Sequence, residues 1–295
     1  MIAKTNVLNE KQRKEIKEVV QACFLYEPLE RELYLENDMN YYEDLNCFFL
    51  YYHQEKLISI LTIYQAEEFE VEITGYTLPE YRRQGYFTEL LYEAEEELLQ
   101  IGIDRITFAV ETKGEDSKHF LRSLNAQYKK SEYILQFNVS ESKFYDDKSN
   151  HVKAELKITE LMESHIDEVS RLSGDIFDQE VDLSKELIEL AFYSDNMSSL
   201  IGVKDGRIIG ICNVSFDNHY GSIYGIGIEK SMQGKGYGKS FLELVMKYLY
   251  HKGASYIGLQ VSSENKSAFN LYRNYGFMIK SQYDYYDYEI EYEEY

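Results

Sequence analysis

The chain repeats itself. Displacing the sequence by 151 residues sets Gly85 on Gly236 and Tyr86 on Tyr237, and the same displacement lays "KLISILTI" (56–63) over "RIIGICNV" (207–214) without a gap. It also sets Gly102 on Gly253, Ile106 on Ile257, Val110 on Val261 and Arg122 on Arg273. One chance glycine turn would not keep strands, a helix end and a second helix in step over roughly seventy residues, so the pattern reads as two copies of one fold. A length of 295 residues accommodates two ordinary domains.

Each copy runs in the same order. An amphipathic helix opens it, "KQRKEIKEVVQACF" in the first and "ELMESHIDEVSRLSGDIF" in the second, where Ile166, Val169, Leu172 and Ile176 recur at helical spacing. Strand-like runs follow ("CFFLYYH" and "LIGVKDGRIIGICNV"), with Asp205-Gly206 as a hairpin signal. Then come a strand, a glycine turn, a helix, the strand "YIGLQV", the helix "NKSAFNLYRNYG" and terminal strands. The helix after the second turn has one apolar stripe (Leu242, Val245, Met246, Leu249), His251 and Lys252 in its last turn and Gly253 as its cap. The expected architecture is α/β, each copy a mixed sheet flanked by helices. The polar stretch 140–156 is the expected connection, giving a first domain over 1–145, a linker over 146–155 and a second domain over 156–295. The tail "YDYYDYEIEYEEY" alternates tyrosine with acid at strand period and reads as a terminal strand with one solvated acidic face.

Composition narrows the function classes. With 31 basic and 52 acidic residues the formal net charge is −21, which disfavours a nucleic-acid partner. No apolar run reaches the length of a membrane span, and the N-terminus lacks a signal-type apolar region. Cys23, Cys47 and Cys212 are scattered and odd in number, with neither a disulfide framework nor metal-ligand spacing, so no metal is expected. A cytoplasmic protein is expected.

Between an apolar run (222–228) and the helix at 241–253 lies "QGKGYGKS". A helix start carries backbone N–H groups without intrahelical partners, and glycines clear the side chains that would hold an anion away from them. Lys235 and Lys239 add charge. The turn reads as a phosphate cradle, of which three kinds compete. A P-loop requires a glycine where Gln233 stands, and "GIGIEK" and "GKGYGK" both lack the third glycine of a dinucleotide fingerprint. Q/R-x-x-G-x-G/A remains, with Gln233, Gly236 and Gly238.

That turn and the segment "VSSENKSAFNLYRNYGF" after the next strand together resemble the GNAT superfamily of acyl-CoA N-acyltransferases, whose signature V…N…A…LY…GF follows such a turn at this spacing. The resemblance covers most of the second half and, through the repeat, the first half in degraded form; tandem members occur in that superfamily. It implies two tandem GNAT-like domains using acetyl-CoA as co-substrate. On it, Gln233, Gly234, Lys235, Gly236, Tyr237, Gly238 and Lys239 hold the pyrophosphate, while the backbone of Ile226, Gly227 and Ile228 receives the pantetheine arm as an added strand would. Two parallel strands splay to admit the thioester, and Gly225 and Gly227 suit close approach there. A backbone N–H near Ile228 faces the oxyanion, Tyr272 protonates the leaving thiolate, and Asn265 lies beside the cofactor and orders its helix start. Glu229, Asp217 and His219 lie near the strand, and no spacing singles out a base among them.

The repeat supplies an internal control. Gly238 is replaced by Phe87, Asn265 by Gly114 and Tyr272 by Leu121, so the first copy is expected to be non-catalytic. The expected activity is acetyl transfer to a primary amine of a small molecule or peptide in the second half, by a monomer or homodimer. The alternatives are a non-catalytic acyl-CoA-binding or interaction module, and an acyltransferase with another acceptor or donor. The acids in 173–190 suit a cationic acceptor.

Overall fold

The computed structural model describes residues 1–139 and 155–290. Contacts divide the chain into two compact units, Met1–Glu132 with the segment from Ser281 onward, and Tyr133–Lys280.

In the first unit, β1 (Ile2–Thr5) leads into α1 (Glu10–Tyr26). A reciprocal cap starts that helix: Asn9 Oδ1 accepts from the Gln12 N–H at 2.9 Å, and Gln12 Oε1 accepts from the Asn9 N–H at 3.0 Å. β2 (Phe48–His53), β3 (Lys56–Glu67), β4 (Glu70–Thr77), α2 (Tyr86–Gln100), β5 (Arg105–Glu111) and α3 (Glu115–Ser123) follow. Phe48, Phe49, Leu50, Ile58, Ile60 and Leu61 are buried between α1 and α2, each worth about 1.5–3 kcal/mol of apolar burial.

The second unit repeats this plan. It contains β7 (Leu156–Glu160), α4 (Ile166–Phe177), α5 (Val181–Phe192), β8 (Met197–Lys204), β9 (Arg207–Asp217), β10 (Tyr220–Ile228), α6 (Tyr237–His251), β11 (Tyr256–Ser262) and α7 (Lys266–Tyr275). The opening helix starts at Ile166, later than the periodicity suggests, because a 3-10 turn at Glu163–His165 precedes it. Asp205 (φ 49°) and Gly206 (φ 80°) make the hairpin as expected. The α6 stripe of Leu242, Val245, Met246 and Leu249 is fully buried on one sheet face, and Val169 and Ile188 from α4 and α5 cover the other. Gly253 (φ 103°) follows the C-cap Lys252.

The ends of the two copies are exchanged. β6 (Gln127–Asn138) begins in the first unit and from Tyr133 onward belongs to the second, whose sheet runs β6-β11-β10-β9-β8-β7; Val139 N–H donates to Ser255 O at 2.9 Å. β12 (Met278–Glu289), the last strand of the second copy, joins the first unit, whose sheet runs β1-β2-β3-β4-β5-β12. Tyr283 lies opposite Glu111 and Glu289 opposite Arg105 in an antiparallel ladder. The expected boundary at 146–155 lies outside the described residues apart from Glu155, and it marks the sequence repeat, whereas the compact units divide the chain after Glu132 and after Lys280. The acidic tail is a strand, yet its acids are engaged: Asp284 is buried and accepts from Ser131 Oγ at 2.6 Å, and Asp287 accepts from Thr107 Oγ1 at 2.8 Å. The part of that tail over 291–295 lies outside the described residues.

Candidate active site

Parallel pairing of β10 with β11 ends at Ile223 opposite Leu259. Beyond it the strands part, and the β9 ladder shifts register between Tyr224 and Gly227, a bulge that takes Gly225 (φ 53°) and Ile226 out of step. Ile226, Gly227 and Ile228 thus form a strand end with its β11 side open, the geometry an extended ligand arm can pair with. Gly227 has a packing reason of its own. A Cβ there would lie 2.4 Å from Ile176 Cγ2 and 3.1 Å from Phe177 Cζ, so the end of α4 presses onto the strand. Ile228 is buried against Gly210, where an added Cβ would meet its Cδ1 at 2.7 Å.

After β10 the chain makes a 3-10 turn, Lys230–Met232, and enters the glycine turn. Gln233 Nε2 donates to Ile228 O at 3.0 Å. Gly234 (φ 70°) and Gly236 (φ 86°) are left-handed, a conformation that excludes most side chains, and Gly236 is the N-cap of α6. Gly238 differs: its φ is not positive, and nothing lies within 4 Å of where its Cβ would be. The protein's own folding does not require a glycine at that position. Lys235 Nζ donates to Ser231 O at 2.8 Å, Lys239 is exposed, and Tyr237 turns inward, its hydroxyl donating to Glu155 Oε1 at 2.9 Å. Tyr237 therefore belongs to the core by its side chain and to the turn by its backbone.

Asn265 caps α7, its Oδ1 accepting from the Ala268 N–H at 3.0 Å. Gly276 (φ 104°) closes α7 and lets Phe277 enter the core, which accounts for the "GF" of the sequence pattern. Tyr272 is 6% exposed, with its ring 5.9 Å from that of Phe277. Burial and the neighbouring Cys212 both push its phenol above the ordinary value, so it holds its proton at neutral pH. Cys212 lies on β9 between Ile211, opposite Gly227, and Asn213, opposite Tyr224. The pair therefore sets the Tyr272 side chain near the bulge.

The base candidates separate. Asp217 and His219 sit at the β9–β10 hairpin, at the start of β10, with His219 Nδ1 3.3 Å from Gly253 O. Glu229 follows the strand end directly; its Oε1 accepts from Arg207 Nη2 and Ser231 Oγ, each at 2.8 Å, and its Oε2 is buried without a partner.

The sequence profile of the acetyltransferase (GNAT) family matches the chain twice, over residues 13–125 and 160–277. The chain belongs to the GNAT family. A mycothiol acetyltransferase of Renibacterium salmoninarum is 42% identical over 57 residues, covering 19% of this chain and 17% of the relative. One from Streptomyces coelicolor is 29% identical over 86 residues, covering 28% of each. The matched stretches thus span well under half of these relatives. A GCN5-related N-acetyltransferase from Sphaerobacter thermophilus superposes over 99% of this chain and 96% of its own, with TM-score 0.79 and 14% identity. A tandem GNAT protein from the clavulanic acid biosynthesis pathway covers 82% of each chain, with TM-score 0.67 and 12% identity. Two tandem GNAT copies are thus established at the level of family and fold.

The GNAT copy in the first unit keeps the framework and changes the contents. Gly85 (φ 88°) caps α2 as Gly236 caps α6, and Arg82 Nε donates to Thr77 O at 3.1 Å where Gln233 reaches Ile228 O. Phe87 lies against Gly75, its Cε2 2.6 Å from where a Cβ would stand. Gly114 starts α3 without a side-chain cap, and Leu121 is buried. Pairing of β4 with β5 is confined to Glu72–Thr107 and Ile73–Phe108, and beyond it opens a cavity of about 330 Å³ lined entirely by first-unit residues. Glu111, at its wall, was not singled out by the sequence reasoning; the available signal was a carboxylate ending the apolar run "RITFAVE".

Proposed function

We propose that the protein is an acetyl-CoA-dependent N-acetyltransferase whose working site is in the second unit and whose acceptor is a primary amine of a small molecule or peptide. The carrying observation is Gly238, a glycine that neither backbone conformation nor packing demands, at the start of a helix beside an open strand end. Absence of a side chain there serves a ligand. The N-terminal turn of α6, with its orphan N–H groups and Lys239, suits the pyrophosphate, and Ile226–Ile228 suits the pantetheine amides.

The residues fit that co-substrate, which supplies an activated acetyl thioester. In the reaction the amine nitrogen bonds to the carbonyl carbon, the carbon–sulfur bond breaks, and the departing thiolate takes the Tyr272 proton, which solvent restores. The nitrogen's surplus proton leaves to water. A backbone N–H near Ile228 would stabilise the oxyanion. A cytoplasmic setting fits three free, buried cysteines. Among the described residues no helix is long and apolar enough to cross a membrane, and no cluster of metal ligands occurs.

The test is thiol release from acetyl-CoA across a panel of primary amines. Amine-dependent release by the native chain, lost in Tyr272→Phe, supports the reading. Binding of acetyl-CoA without release for any amine in the panel would favour a non-catalytic acyl-CoA module.

A further inference from the structure

The first unit has lost the tyrosine and the open glycine of its sister copy, yet it has not closed its cavity. Three phenylalanine rings are among its walls: Phe87 and Phe120 meet edge to face at 5.2 Å, and Phe108 and Phe120 at 6.2 Å. At the repeat displacement these positions are Gly238, Leu271 and Leu259 in the second copy, so the rings are particular to the first.

The charges lining the cavity are matched with one exception. Arg82 pairs with Glu27 at 2.8 Å and Asp116 at 3.2 Å, Arg83 with Asp116 at 3.6 Å, and Arg31 with Glu72. Glu111 has no ion pair among the described residues. It is 6% exposed, its Oε2 accepts the N–H groups of Glu30 at 2.7 Å and Arg31 at 3.0 Å, and its Oε1 is buried with no partner. Tyr76 cannot serve that oxygen, because its hydroxyl donates to Arg31 O at 2.5 Å. A buried carboxylate oxygen without a donor costs folding free energy, and the second copy avoids that cost with Ser262 at the same repeat position.

We infer that this cavity is a binding site for a small organic ammonium ion with an apolar body about the size of one ring, its N–H group donating to Glu111 Oε1. The volume is at the lower end of small-molecule sites, which span about 300–1,000 Å³. Aromatic faces attract a cation as well as an apolar body, and the carboxylate supplies its counter-charge. An anionic ligand is disfavoured, since each arginine of the lining already has a carboxylate. Phe87, packed against Gly75, stands where the second copy leaves its turn open, so the two copies are fitted to different ligands. This assignment does not depend on acetyl transfer by the second unit.

The experiment uses the intact chain, 2-phenylethylammonium as the probe and 2-phenylethanol as its neutral counterpart, with affinity from calorimetry and location from intermolecular NOEs to phenylalanine ring protons. The ammonium should bind at least about tenfold more tightly than the alcohol, the value of one hydrogen bond to a charged group. It should show NOEs to Phe87, Phe108 and Phe120, and Glu111→Gln should erase the preference. Equal binding of the two probes, NOEs confined to second-unit rings, absence of binding, or an unchanged preference in Glu111→Gln would each overturn the assignment. So would NOEs from the pantetheine arm of coenzyme A to these three rings. If Glu111→Gln does not fold, the comparison of probes on the native chain decides.

Discussion

Gln233 Nε2 donates to Ile228 O at 3.0 Å, binding the first residue of the glycine turn to the last residue of β10. Arg82 makes the same link to Thr77 in the first unit. The strand end and the helix start are thereby held as one piece in each copy, by two different side chains. Gln233→Ala should lower stability by about 0.5–1.5 kcal/mol and weaken acetyl-CoA binding several-fold while leaving the fold intact. Denaturant titration and calorimetry check both effects.

Tyr272→Phe keeps the ring against Phe277 and removes only the hydroxyl. Acetyl-CoA affinity should be unchanged and turnover on a true acceptor should fall about 100-fold. Because the phenol is raised, the native enzyme should show no loss of its acid on the basic side as pH approaches about 10, the ordinary tyrosine value. A pH–rate profile with an alkaline fall below that point, absent in Tyr272→Phe, would contradict the raised phenol, and undiminished turnover in Tyr272→Phe would contradict the role.

Burial also raises Tyr76 and Tyr285, as it does Tyr272. For a group whose folded value lies above its unfolded one, the stabilisation is complete below the unfolded value and is lost as pH rises through the folded one. Stability should therefore hold to about pH 10 and decline steeply above it, as the unfolded chain releases protons that the folded chain retains. Urea midpoints measured from about pH 8 to pH 11 test this, and a flat profile would refute it.

A chain ending at Lys280 removes the part of β12 that pairs with β5, together with Ile290 of the first core. Amides of β5 should lose hydrogen-exchange protection, and those of α6 should keep theirs. Unchanged protection in β5 would show that the strand is dispensable.

Much of this arrangement was legible in sequence because it is local. Glycine turns, helix stripes, the Asp205-Gly206 hairpin and the Gly253 cap are set by backbone preference and periodicity within a few residues. The exchange of β6 and β12 was not legible, since alternation identifies a strand but not the sheet that receives it. The packing role of Gly227 depends on Ile176 and Phe177, some fifty residues away. Glu111 stayed hidden for a similar reason: its partners Glu30 and Arg31 lie in a stretch without helical or strand period.

The most direct measurement is calorimetric titration of acetyl-CoA into the intact chain and into Gly238→Asp. That substitution meets open space and ordinary φ, so it changes the charge at the start of α6 without disturbing the fold. One site per chain in the native protein, abolished in the variant, is the expected result. Two sites, none, or a site that survives Gly238→Asp would contradict a single working cradle in the second unit.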